Sequence, residues 1–145
     1  MESIIKDILL VDDSENDVIL IKAAFDDLNF ANKIVVAEDG EEALDYLYRR
    51  GKFKDVQAGG PLFILLDIKM PLLTGHEVLK IIRSDKAFNK IPVIMLTSSR
   101  NPYDLQECYD NGANSFVVKP IKVDDFMRVI KELGKYWAIL NEIHL

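Results

Sequence analysis

The sequence predicts an α/β protein of the doubly wound class, a five-stranded parallel sheet covered by helices on both faces. Five short apolar runs alternate along the chain with five segments whose apolar residues recur at spacings of 3 or 4. The runs are unbroken rather than alternately apolar and polar, which suits strands buried on both faces between helix layers. Each run also ends on polar or charged residues.

The first run, Ile8-Leu9-Leu10-Val11, ends on Asp12-Asp13-Ser14. A helix follows in which Val18, Ile21, Phe25 and Leu28 share a face, with Asp13 or Ser14 as its N-cap. Ile34-Val35-Val36-Ala37 is the second strand, closed by Glu38-Asp39-Gly40. The next helix, about Glu41 to Arg50, turns Ala43, Leu44, Leu47 and Tyr48 inward. Gly51 to Gly60 is longer than the usual link in such units and reads as a mobile surface loop, with an interaction element as the alternative.

The third run, Leu62-Phe63-Ile64-Leu65-Leu66, leads straight into Asp67. Met70-Pro71 then breaks regularity, and Gly75 allows a turn into a helix ending near Ser84, with Val78, Leu79 and Ile82 facing the core. Pro92-Val93-Ile94-Met95-Leu96 is the fourth strand and ends at Thr97-Ser98-Ser99. A weaker helix from about Pro102 to Asn111 has Leu105, Cys108 and Tyr109 as its apolar side and stops at Asn111-Gly112. Ser115-Phe116-Val117-Val118 is the fifth strand, closed by Lys119-Pro120. The last helix starts near Val123 and runs through Phe126, Val129, Ile130, Leu133, Trp137 and Leu140.

At 145 residues, 49% hydrophobic and 29% charged, the chain fits one globular domain over residues 1–145. No repeat, low-complexity stretch or linker divides it, so no output domain is expected. The net charge of −6 and a pI near 4.9 argue against a nucleic-acid face. Met1-Glu2-Ser3 lacks the basic start of a targeting signal, and no apolar run approaches the roughly 20 residues of a membrane span. A soluble, cytoplasmic protein is expected. Cys108, the single cysteine, forms no internal disulfide and reads as a small buried hydrophobe. His76 and His144 carry no ligand spacing.

In a parallel alternating fold every strand ends at one rim, where open α/β sheets place their ligands. Asp12-Asp13, Asp67, Thr97 and Lys119 all end strands. Helix caps, turns and a surface charge would explain each singly, but their convergence on one rim favours a site. Crowded carboxylates repel unless a cation intervenes, and oxygen donors suit a hard ion such as Mg²⁺. A divalent ion and the Lys119 ammonium would let an anionic phosphoryl group approach an anionic nucleophile, with the Thr97 hydroxyl as a donor to it. Asp67 is then the candidate phosphoacceptor, forming an acyl phosphate.

Over essentially its full length the chain resembles a receiver domain of the two-component response regulators. The resemblance rests on Val11-Asp12-Asp13, Leu66-Asp67-Ile68-Lys69-Met70-Pro71 with Gly75, Leu96-Thr97-Ser98 and Phe116-Val117-Val118-Lys119-Pro120, in that order. It implies a flavodoxin-like strand order of 2-1-3-4-5. It also implies that Asp67 takes a phosphoryl group from a histidine kinase or a histidine phosphotransfer protein. Asp13, Asp67 and the backbone carbonyl of Lys69 would ligate Mg²⁺, with Asp12 acting partly through water, while Lys119 and Thr97 would bind the phosphoryl group. Thr97 and Phe116 would move together as a switch, a population shift between two packings. A cis Lys119–Pro120 bond is expected on the same ground.

Thr74-Gly75 stands where the family often has Asp-Gly, and Lys69 and Ser99 occupy positions that tune the lifetime of the acyl phosphate in that family. The segment Gly134 to Glu142 and the long Gly51–Gly60 loop resemble the stand-alone regulators that partner phytochromes. Tyr136 to Leu140 is apolar around most of the helix, which fits either a tail folded on the domain or a homodimer through the fourth and fifth helices and the fifth strand. An aspartate-nucleophile phosphatase shares the fold and the ion, but those enzymes resemble one another in an acid two residues after the nucleophile, where this chain has Lys69. A flavin binder would meet repulsion from Asp12-Asp13. A receiver-like module that binds partners without phosphorylation is the remaining alternative.

Overall fold

The computed structural model describes residues 5–56, 60–120 and 122–140, the side chains of residues 139 and 140 excepted. Five parallel strands, β1 (Ile8–Val11), β2 (Ile34–Ala37), β3 (Phe63–Leu66), β4 (Val93–Thr97) and β5 (Ser115–Val118), form one sheet in the order 2-1-3-4-5. Five helices connect and follow them: α1 (Glu15–Asp27), α2 (Gly40–Tyr48), α3 (Gly75–Ser84), α4 (Pro102–Asp110) and α5 (Val123–Lys135). The parallel sheet is the one the alternating pattern predicts, and the strand order is the one the family resemblance implies. The last helix continues as a single wider π turn over Tyr136–Leu140.

Successive strand residues point to opposite faces, and both faces are apolar. Ile8, Leu10, Phe63, Leu65, Ile94 and Leu96 pack under α1 and α5. Leu9, Val11, Ile64, Leu66, Val93 and Met95 pack under α2, α3 and α4. This is why β1, β3 and β4 read as unbroken apolar runs. Burying each such side chain contributes roughly 1.5–3 kcal/mol. β2 and β5, at the sheet edges, are only half-buried for most of their length.

Helix starts follow their caps. The Ser14 hydroxyl accepts from the Asp17 N–H, Asp39 caps α2 through the Glu42 N–H, and Thr74 with Glu77 forms a reciprocal capping box on α3. Asn101 caps α4, with Pro102 at its first position.

Three expectations differ from the structure. Tyr48 is 40% exposed, its ring edge-on to Phe88 and its hydroxyl donating to Asp85, whereas Tyr46 is the buried tyrosine and donates to Asp7. Both lie beside the apolar face of α2, and the chain that follows covers Tyr46. That chain is the start of the Gly51–Gly60 segment, where a short 3-10 turn over Gly51–Phe53 sets Phe53 edge-on to Tyr46 at 5.6 Å. Phe53 is buried and Val56 packs on the same cluster, so the described part of this loop is anchored to the core; residues 57–59 lie outside the described residues. In α4 only Cys108 is buried, while Leu105 and Tyr109 are exposed, because this helix lies beside edge strand β5 and meets the sheet along a narrow line.

Candidate functional site

The rim residues are positioned by the sheet itself. The Asp12 N–H donates to the Ala37 carbonyl of β2, the Asp67 N–H to the Val11 carbonyl of β1, and the Lys119 N–H to the Thr97 carbonyl of β4. Each stands one residue beyond its strand and still continues the ladder, so its side chain inherits the strand's rigidity. One carboxylate oxygen from each of Asp12, Asp13 and Asp67 lies within 4.8 Å of the others. Asp12 is 2% and Asp67 9% exposed, whereas Asp13 faces solvent.

Lys119 reaches across this cluster. Its Nζ donates to Asp12 Oδ2 at 2.8 Å and to Asp17 Oδ2 at 2.7 Å, and lies 3.6 Å from Asp67 Oδ2. Asp17, on the first turn of α1, is a partner that sequence reading misses, because strand ends point to the rim while Asp17 looks like an ordinary helix-start acid. Asp12 Oδ1 accepts from the Ser14 N–H, and Asp67 Oδ1 from the Ile68 N–H. Thr97 is buried at the end of β4, and its Oγ1 accepts from the Ser99 N–H at 3.2 Å.

The electrostatics follow from burial and crowding. Burial raises Asp67 to about 6, an effect that Lys119 opposes and the charges of Asp12 and Asp13 reinforce. Burial likewise raises Asp12, only partly offset by its bond to Lys119. For Lys119 burial works against the charge, but the bonds to Asp12 and Asp17 and the attraction of Asp67 outweigh it and hold the ammonium above its usual range. One ammonium among four carboxylates leaves the site electron-rich. Its donors are all oxygen, and this set fits a hard divalent cation.

Lys69 follows Asp67 by two residues with its side chain exposed. Phe116 is half-buried, pairs with Met95 across β4 and β5, and packs against the α2–α4 side of the core. The structure does not bear out a cis Lys119–Pro120 bond: no cis peptide occurs among the described residues. The trans form is the lower-energy isomer of an X–Pro bond by about 0.5–1 kcal/mol, and the trans chain already carries the Lys119 ammonium to its carboxylates. Leu72, in the loop after Asp67, adopts φ 70°, a left-handed conformation uncommon outside glycine, and is 69% exposed.

A family profile described as the response regulator receiver domain matches residues 8–131. The chain is 38% identical over 137 residues to the probable methanogenesis regulatory protein FilR2 of Methanothrix harundinacea, covering 92% of this chain and 84% of that protein. The phosphorylated cyanobacterial phytochrome response regulator RcpA superposes with a TM-score of 0.90 at 31% identity, covering 97% of this chain and 99% of that one. The Mn²⁺-bound form of response regulator Rcp1 does so with a TM-score of 0.90 at 27% identity, over 97% and 99% of the two chains.

Proposed function

The chain belongs to the response regulator receiver family of two-component systems, and we propose that it signals by accepting a phosphoryl group on Asp67. The observation that carries this reading is the convergence of Asp12, Asp13 and Asp67 within 4.8 Å beside the Lys119 ammonium. The donor is a phosphohistidine of a sensor kinase or a histidine phosphotransfer protein. An Asp67 carboxylate oxygen attacks phosphorus, the P–N bond breaks as the P–O bond forms, and the histidine nitrogen takes up a proton.

Asp12, Asp13, Asp67 and the Lys69 carbonyl would hold Mg²⁺, which when bound neutralises charge between nucleophile and phosphoryl group. Lys119, released in part from its carboxylates, pairs with a phosphoryl oxygen, and the Thr97 hydroxyl donates to another. The Thr97 hydroxyl makes that bond in only one packing of β4 and β5, so phosphorylation biases the position of Phe116. The protein transfers the group only onto and off itself, so it acts as a signalling phosphoacceptor rather than as an enzyme acting on other molecules. The likeness to a phytochrome response regulator supports a phytochrome-type kinase as the donor.

The exposed apolar residues Tyr103, Leu105, Tyr109, Val123 and Tyr136 support a homodimer through α4, β5 and α5. Sedimentation at several concentrations tests it: a monomer at high concentration, phosphorylated or not, rules the dimer out. Among the described residues no helix is long and apolar enough to cross a membrane, and a cytoplasmic site of action fits a kinase partner.

Mass spectrometry after exposure to a small-molecule phosphodonor with Mg²⁺ tests the central reading. One added phosphoryl group that disappears in Asp67→Asn is expected; addition that survives this substitution unchanged, or no addition to the wild type, would sink it.

A further inference from the structure

Away from the rim, His76 on α3 meets two carboxylates of α4. Its Nε2 lies 3.3 Å from Asp104 Oδ1 and 3.5 Å from Glu107 Oε2, and the three donor atoms lie within 4.8 Å of one another. Asp104 and Glu107 are three residues apart and therefore share a helix face. The separations are long for charge-assisted hydrogen bonds of about 2.7–2.9 Å. They do match the edge of a coordination tetrahedron, since bonds of about 2.0–2.1 Å to imidazole and carboxylate give ligand spacings of roughly 3.3–3.5 Å.

Two of the donors are also held from behind. His76 Nδ1, the ring nitrogen turned away from the carboxylates, has Cys108 Sγ at 3.7 Å, and Asp104 Oδ2 accepts from Ser99 Oγ at 2.5 Å. Outer partners of this kind fix the orientation of metal ligands. Side-chain exposure rises from 12% at His76 through 22% at Asp104 to 47% at Glu107, which gives an ion a path from solvent and leaves its fourth position to water.

We propose that His76, Asp104 and Glu107 form a three-ligand site for a divalent transition-metal ion of the Zn²⁺ class, bridging α3 and α4. The imidazole distinguishes it from the all-oxygen rim, because imidazole suits Zn²⁺, Cu²⁺ or Ni²⁺ while carboxylate, carbonyl and water suit Mg²⁺. Sequence spacing does not mark His76, because its partners come from a helix 28 and 31 positions on, brought opposite by the packing of α3 beside α4. An ion here also acts on the rim at a distance. It fixes Asp104, which holds Ser99, whose N–H donates to the Thr97 hydroxyl.

Calorimetric titration of the full chain with ZnCl₂, in excess Mg²⁺ to occupy the acidic rim, tests the proposal. One Zn²⁺ per chain is expected, with affinity at least tenfold weaker in His76→Gln and in Glu107→Gln. The second variant changes a half-exposed side chain and so keeps the test independent of folding. Cys108→Ser is expected to retain the stoichiometry, since its sulfur faces the other ring nitrogen. No Zn²⁺ binding by the wild type, an isotherm unchanged in both ligand variants, or binding abolished by Mg²⁺ would overturn the proposal.

Discussion

Gly75 lies so close beneath Asp67 that a Cβ on it would stand 2.2 Å from the Asp67 carbonyl oxygen and 2.8 Å from Ile68 Cα. The Gly75 N–H also donates to the Ile68 carbonyl at 2.8 Å, which clamps the start of α3 against the loop that presents Asp67. The obstructing atoms are backbone and cannot rotate away. Gly75→Ala is therefore expected to cost at least the roughly 1–3 kcal/mol of an overpacked core, and to slow phosphoryl acceptance because the loop must shift. Urea denaturation and the rate of labelling by a small phosphodonor measure the two effects; an unchanged midpoint would show that α3 can slide aside.

A second close approach joins α1 to α5. A Cβ on Gly134 would meet the Phe25 ring at 2.4 Å, and Phe25 is 3% exposed. Glycine to alanine in a helix interior ordinarily gains about 0.8–1 kcal/mol. Displacing a buried ring costs roughly 1–3 kcal/mol, so the contact wins and Gly134→Ala destabilises. Adding Phe25→Leu should recover part of that loss, and a double-mutant cycle without coupling would show that the ring is not the obstacle.

Lys119→Ala removes the cation from three carboxylates, Asp12, Asp17 and Asp67, of which Asp12 is almost wholly buried. In chelator at neutral pH the variant is expected to lose up to about 3–5 kcal/mol, the scale for breaking a buried pair from one side. Acidification restores much of it as the carboxylates protonate. Phosphoryl acceptance should fall on the order of 10²-fold, as for loss of one preorganised charge donor. Retention of the wild-type rate would place the phosphoryl group elsewhere.

Metal-free Asp67 titrates near 6, above its unfolded value of 3.8. Between these values the native state holds more protons than the unfolded state, so the contribution of Asp67 to stability is present below about 4 and falls as pH rises to 6. Wild type minus Asp67→Asn, compared by thermal unfolding in chelator, should therefore lose ground across that window, by at most about 1.4 kcal/mol per pH unit. Mg²⁺ at 100 times its dissociation constant should add about 2.7 kcal/mol to the wild type at pH 7 and less to the variant. A wild type that gains on the variant as pH rises through this window, in chelator, would contradict the burial of Asp67.

The sheet was legible from the sequence because its strands obey one rule. A parallel strand between helix layers is apolar on both faces, and Ile8–Val11, Phe63–Leu66 and Val93–Leu96 cannot be read as anything half-exposed. The rim was legible for a related reason, since a parallel sheet delivers every strand end to one edge. Asp12, Asp67, Thr97 and Lys119 meet there although 107 positions separate Asp12 from Lys119.

What periodicity could not decide was how helices face one another. Tyr46 and Tyr48 both lie beside the apolar stripe of α2, and only the turn carrying Phe53 selects Tyr46 for the core. Gly75 reads as a turn residue, yet close backbone approach is what excludes a side chain there. Asp17 joins Lys119, and His76 joins Asp104 and Glu107, through contacts between elements that no local spacing encodes. The layers and the shared rim of strand ends could be read from the residues alone, because burial and chain direction are local properties of each segment. Which helix faces which emerges only on folding, because that depends on side-chain packing across the gaps between elements.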